Sequence, residues 1–278
     1  MSYKSILTLW DGTPDNRAAF DYAVDLTRKN DGHLTVLTLG IDRVHAGLYY
    51  AGASPVLLTE SIEAAREDAQ KCADEAEAML SGSDLTYNVQ AMVAQISGIN
   101  AAVGGLARFC DLVVLPQPYG ADTAQEAALI LEAAMFTGHA PVLVCPTKAV
   151  TQEPRKIVIA WNESAEAMAA IRAALPFIKD SDLIDITIVD PAAHGSGRAD
   201  PGTELSEMLT RHGATVSVSI LAKTLPHVAE VVQRHASDIG ADMIVMGAYG
   251  HSRFREAILG GATRDVLEDV SLPVLMAH

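Results

Sequence analysis

Short apolar runs recur along the chain, each closed by a turn and followed by a helical pattern. Ile6 to Leu9 runs into Trp10-Asp11-Gly12-Thr13, and apolar residues then fall at Ala18, Phe20, Ala23, Val24 and Leu26. That order predicts a strand, a loop and a helix, the opening of a βαβ unit. Residues 33–40 predict a second strand. The stretch 42–55, rich in small residues and tyrosine, reads as an irregular lid. Ile62, Ala65, Ala69, Cys72, Ala76 and Met79 then alternate at three and four residues, which predicts a long amphipathic helix with its stripe in the core. A strand over 87–93, a helix over 98–109, a strand over 112–115, a helix over 126–136 and a strand over 141–145 complete the series.

The series then restarts. Ile157-Val-Ile-Ala-Trp161-Asn162-Glu163-Ser164 lies over residues 6–13 with tryptophan on tryptophan, and these are the only two tryptophans in the chain. Asp242-Met-Ile-Val-Met246 lies over Asp111-Leu-Val-Val-Leu115, and Pro273-Val-Leu-Met276 over Pro141-Val-Leu-Val144. The first copy is longer by about twenty residues, assigned to the lid and the long helix. The expected architecture is α/β: two tandem doubly wound, five-stranded, mainly parallel sheets of Rossmann-like type, over residues 1–148 and 154–278. In such sheets ligands sit beyond the carboxyl ends of the strands where strand order reverses, which points to the ends of the first and fourth strands of each copy.

Composition narrows the function. A net charge of -15, with both halves acidic, argues against nucleic acid or an anionic membrane as a general partner. No apolar run reaches membrane-spanning length, and the start of the sequence lacks signal-peptide architecture, so a cytoplasmic location is expected. Cys72, Cys110 and Cys145 are widely spaced and read as reduced thiols; no Cys or His spacing resembles a metal site.

The candidate ligand site is the stretch 243–263. An apolar run ends at Met246; Gly247 and Gly250 follow, and after nine residues Gly260 and Gly261 open a predicted helix. Glycine lets backbone N–H groups approach an anion, and a helix start supplies unpaired donors. The pattern Gly247-x2-Gly250-x9-Gly260, with the Ala-Trp-Asn-x-Ser opening and the closing Pro-Val-Leu strand, resembles the ATP-binding signature of the universal stress proteins. The resemblance implies a site for ATP, ADP or AMP, with Mg2+ as a further candidate ligand. It places Ala160 and Asn162 at the end of the first strand, Asn162 toward the ribose, and Ile188 and Val189 by the adenine. Met246 and Gly247 would line base and sugar; Gly250, Gly260, Gly261 and Ala262 would hold the phosphates, with His251 and Thr263 beside them. It also implies pairing of the final strands, 141–144 with 273–276, as an internal pseudo-dimer, and leaves a homodimer open.

Two departures weaken the pattern. Gly261 stands where binders carry Ser or Thr, and Asn162 where they carry aspartate. In the first copy the loop reads Pro116-Gln117-Pro118-Tyr119-Gly120; proline removes an N–H, so nucleotide binding is expected in the second domain alone. His251, Arg253 and Arg255 read equally well as phosphate-screening or as solvated loop residues. Glu163 is read as a solvent-facing acid before a metal ligand, Asp190 as a turn residue, and both tryptophans as packing groups. With no lysine in the Walker position, the expected role is regulatory and not enzymatic. The alternatives are a scaffold with both nucleotide sites decayed, and a slow ATPase.

Overall fold

The structure, a computed structural model, describes residues 2–43, 55–120, 125–148, 153–191, 201–248 and 261–278. They fall into two compact units. The first comprises 3–118 and the described part of 122–140; the second comprises residue 2, 119–120 and the described part of 141–278.

In the first unit, β1 (Ser5–Leu9) passes through a 3-10 turn (Pro14–Asn16) into α1 (Arg17–Lys29). There follow β2 (His33–Asp42), α2 (Pro55–Leu80), β3 (Thr86–Gln95), α3 (Ile99–Ala107), β4 (Leu112–Pro116) and α4 (Glu126–Glu132), which runs on into a π-helical turn (Ala133–Thr137). The strands lie in the order β3-β2-β1-β4, all parallel. Strand order reverses between β1 and β4. The central run Leu112 to Leu115 is buried throughout, as expected of a strand covered on both faces. Strand β2 runs to Asp42 and helix α2 already begins at Pro55, so the two ends of the expected lid belong to regular elements; 44–54 lies outside the described residues.

The second unit holds β5 (Val142–Cys145), β6 (Lys156–Ala160), α5 (Ala165–Asp180), β7 (Leu183–Val189), α6 (Thr203–Arg211) and β8 (Val216–Leu221). It ends with α7 (Val228–Asp238), β9 (Met243–Gly247), α8 (Gly261–Glu268) and β10 (Val274–Ala277). Strand order is β5-β10-β9-β6-β7-β8. Every neighbour is parallel except β5 and β10, which pair antiparallel with Val144 opposite Val274 and Val142 opposite Met276. The pairing expected of the two closing strands is therefore present. Order reverses between β6 and β9, the positions answering to β1 and β4.

The repeat read from the sequence recurs bond for bond. Asp111 Oδ2 accepts from the backbone N–H groups of Lys4 (2.7 Å) and Ser5 (2.9 Å); Asp242 Oδ2 accepts from those of Arg155 (2.9 Å) and Lys156 (2.9 Å). Each aspartate ties the start of the fourth strand of its series to the start of the first. The extra length of the first copy lies in α2, which has 26 residues against 9 in α6. All three cysteines are free thiols, and burial pushes that of Cys110 up to about 11. Among the described residues no helix is long and apolar enough to cross a membrane.

Candidate functional site

The site is built at the carboxyl ends of β6 and β9, which are neighbours in the sheet. Where β6 ends, the Trp161 N–H still donates to Thr187 O of β7 (2.9 Å). The chain then turns sharply. Asn162 Oδ1 accepts from the Ser164 N–H (3.1 Å), Glu163 takes a left-handed φ of 61°, and Ser164 Oγ accepts from the Ala167 N–H (3.0 Å), capping α5. Asn162 is exposed, but its carbonyl oxygen is engaged in holding this turn.

The first unit makes the same turn. Trp10 N–H donates to Leu37 O (2.9 Å), Asp11 Oδ1 accepts from both the N–H (2.9 Å) and the hydroxyl (2.7 Å) of Thr13, and Gly12 carries the left-handed φ at 77°. Trp10 is buried, 5.3 Å from the Phe20 ring centroid, with its indole N–H on Glu75 (3.3 Å), so there it packs as expected.

The units part company where the fourth strand meets the first turn of the helix. In the second, a Cβ on Gly247 would lie 2.4 Å from Ala167 N and 2.8 Å from the carbonyl carbon of Glu166. Glycine is thus required at this position for the start of α5 to close onto β9, whatever else approaches it. The corresponding residues of the first unit are Pro116 and Asn16. Asn16 is 1% exposed, and neither amide atom has a hydrogen-bond partner.

The predicted residues distribute as follows. Ala160 and Met246 are side by side in register, Met246 nearly buried, with Ile188 and Val189 one strand further on. Gly261 opens α8, and Ala262 and Thr263 follow in its first turn, Thr263 buried. Because β9 and β10 are parallel, the connecting α8 runs against them, and its N-terminal end lies at the carboxyl edge that also holds Asn162 and Gly247. Gly250, His251 and Gly260, together with Arg253 and Arg255, lie outside the described residues.

One polar group was missed in the sequence. Asp185, in the middle of β7, is 4% exposed and accepts from Thr187 Oγ1 (2.8 Å), Ser217 Oγ (2.8 Å) and Ser219 Oγ (2.8 Å), with His235 Nε2 at 3.1 Å. Burial pushes its carboxyl up, but these four partners outweigh that and hold it below the usual aspartate value. The signal was the lone acid in Leu-Ile-Asp-Ile-Thr-Ile-Val, matched by alternating serines in the paired strand.

Residues 153–278 match the model of the universal stress protein family. That stretch, within the second unit, is similar to a universal stress protein domain. Universal stress protein Slr1230 of Synechocystis is 30% identical over 137 residues, 49% of this chain and 46% of that protein. Universal stress protein MJ0577 of Methanocaldococcus jannaschii is 35% identical over 57 residues, 20% of this chain and 34% of that protein. The chain thus spans less than half the length of the curated relatives it matches. A solved universal stress protein from Archaeoglobus fulgidus superposes with a TM-score of 0.69 at 17% identity, covering 98% of this chain and 96% of its own. At that identity the likeness is one of fold, and it extends the universal stress protein architecture over both units.

Proposed function

We propose that the second unit binds an adenine nucleotide, ATP, ADP or AMP, as a regulatory ligand in a duplicated two-domain protein of the cytoplasm. The observation that carries this reading is the start of α8 at Gly261 on the carboxyl edge shared by β6 and β9. The glycine signature requires a helix start there, and a helix start supplies N–H donors and partial positive charge for phosphate. The exposed turn at Asn162 and the small residue Ala160 fit a sugar and base lying across the strand ends. Asn162 retains its amide N–H groups as donors to a ribose oxygen, since the turn engages its carbonyl oxygen. The glycine loop carries no lysine in the Walker position, which favours binding over turnover.

The scaffold reading has one observation in its favour: the side chain offered to the ribose already serves its own turn. Mass spectrometry of ligand released from protein purified without added nucleotide, with calorimetry using ATP, ADP and AMP, separates the two. The nucleotide reading expects about one equivalent per chain. If none is carried and none binds below millimolar concentration, the scaffold reading replaces it.

A further inference from the structure

We infer that α7 acts as a splint for α8, with Gln233 and His227 as positioning residues that grip its second half and so hold the helix with its start ready for an anion. This rests on the nucleotide reading above, in which the start of α8 meets the phosphates. Helix α8 has 8 residues, too few to be stable by itself in water. Its order must come from packing, and α7 supplies two polar contacts to it.

The two contacts grip different parts of α8. Gln233 Nε2 donates to Asp269 O (2.8 Å) and reaches Val266 O (3.4 Å), satisfying carbonyls that a helix end leaves without partners. His227 stands at the head of α7, where its backbone N–H donates to Glu230 Oε2 (3.4 Å). Its Nδ1 is 2.8 Å from Asp265 Oδ2. The ring and the carboxylate face each other without an aligned hydrogen bond, since this oxygen is buried with no hydrogen-bond partner among the described residues. Asp265 lies one turn from Gly261. A carboxylate there opposes a phosphate at the helix start, and the His227 ring covers it. Both α7 and α8 connect parallel strands, so both heads lie at the same edge of the sheet. In the first unit the equivalent pair also meets closely: a Cβ on Gly104 of α3 would lie 2.5 Å from Thr137 Cβ, and Arg108 Nη2 reaches Thr137 O at 3.4 Å.

The test uses the full chain, ATP and adenosine as probes, and amide hydrogen exchange over 261–268. Gln233→Leu and His227→Ala should each weaken ATP about tenfold, the scale of one lost hydrogen bond or charge contact, while adenosine affinity holds. Adding Asp265→Asn to His227→Ala should return most of the ATP affinity. Equal loss for both probes, or loss for neither, overturns the splint and leaves the nucleotide reading standing. If the unaltered chain takes up neither probe, the nucleotide reading fails by itself and exchange decides the splint. Faster exchange over 261–268 with β6 and β9 unchanged upholds it, and unchanged exchange in both variants overturns it. His227 is exposed, so its variant remains informative if Gln233→Leu fails to fold.

Discussion

The two strand-end turns are nearly the same object, and the junctions behind them are not. Asp11-Gly12-Thr13 and Asn162-Glu163-Ser164 both bend on a left-handed residue and both fold a side-chain oxygen onto the N–H two residues ahead. Behind them, one unit sets Gly247 against Ala167, and the other carries Pro116 and Asn16. The turn survives a change from aspartate to asparagine and from glycine to glutamate because local hydrogen bonding sustains it. The junction cannot absorb such changes, because two backbones share one small space. Features held by local hydrogen bonds thus persist in both copies, while the departure lies at a packing junction beside the strand ends.

Substitutions at four positions press on this contrast, from the largest expected effect to the smallest. Gly247→Val should cost the second unit 3 kcal/mol or more, roughly the upper range of overpacking, because the new atoms meet backbone and not a flexible side chain. Domain-resolved hydrogen exchange should show the loss confined to the second unit; a mild effect would mean the junction yields. For the same reason this variant is a poor test of nucleotide binding, since it damages fold and site together.

Asp185→Ala should destabilise the same unit by about 2 to 3 kcal/mol, by leaving buried hydroxyls and an imidazole without their acceptor. Its carboxyl is depressed in the fold, so its contribution is fully present above the unfolded value of about 3.9 and is lost as pH falls through the lower folded value. Denaturant melts of the parent should therefore weaken below about pH 4, and Asp185→Asn should flatten part of that slope.

Ser164→Ala removes the α5 cap and should lower the urea midpoint by an amount worth about 1 kcal/mol. The gentlest change runs the other way. Asn16→Leu replaces an unpartnered buried amide with an apolar group of similar size, and should stabilise the first unit by about 0.5 to 1 kcal/mol. A loss instead would mean the amide has a partner in solution, such as a buried water.

Much of this was legible in the residues alone. Buried parallel strands announce themselves as unbroken apolar runs, and two tryptophans at matching strand ends marked the repeat. The helix opening at Gly261 followed from the glycine pair. Less visible were features that depend on what the fold brings together. Nothing in the order of residues sets Gly247 against Ala167, or gathers Asp185, Ser217, Ser219 and His235 from two strands and a helix. The start of α2 at Pro55 was missed because the helical stripe becomes regular only from Ile62. Asn16 gave no signal, since polar residues are ordinary near a helix start and its burial arises from packing.

The antiparallel union of β5 with β10 has a practical meaning for anyone who divides this protein. By descent β5 closes the first repeat; through its pairing with β10 it belongs with the second unit. Inheritance and architecture therefore draw different borders. A fragment beginning at Lys156, which respects the repeat, leaves the Val274–Ala277 ribbon with an open side, primed to recruit the same ribbon from another molecule. One beginning at Pro141 carries its own cover.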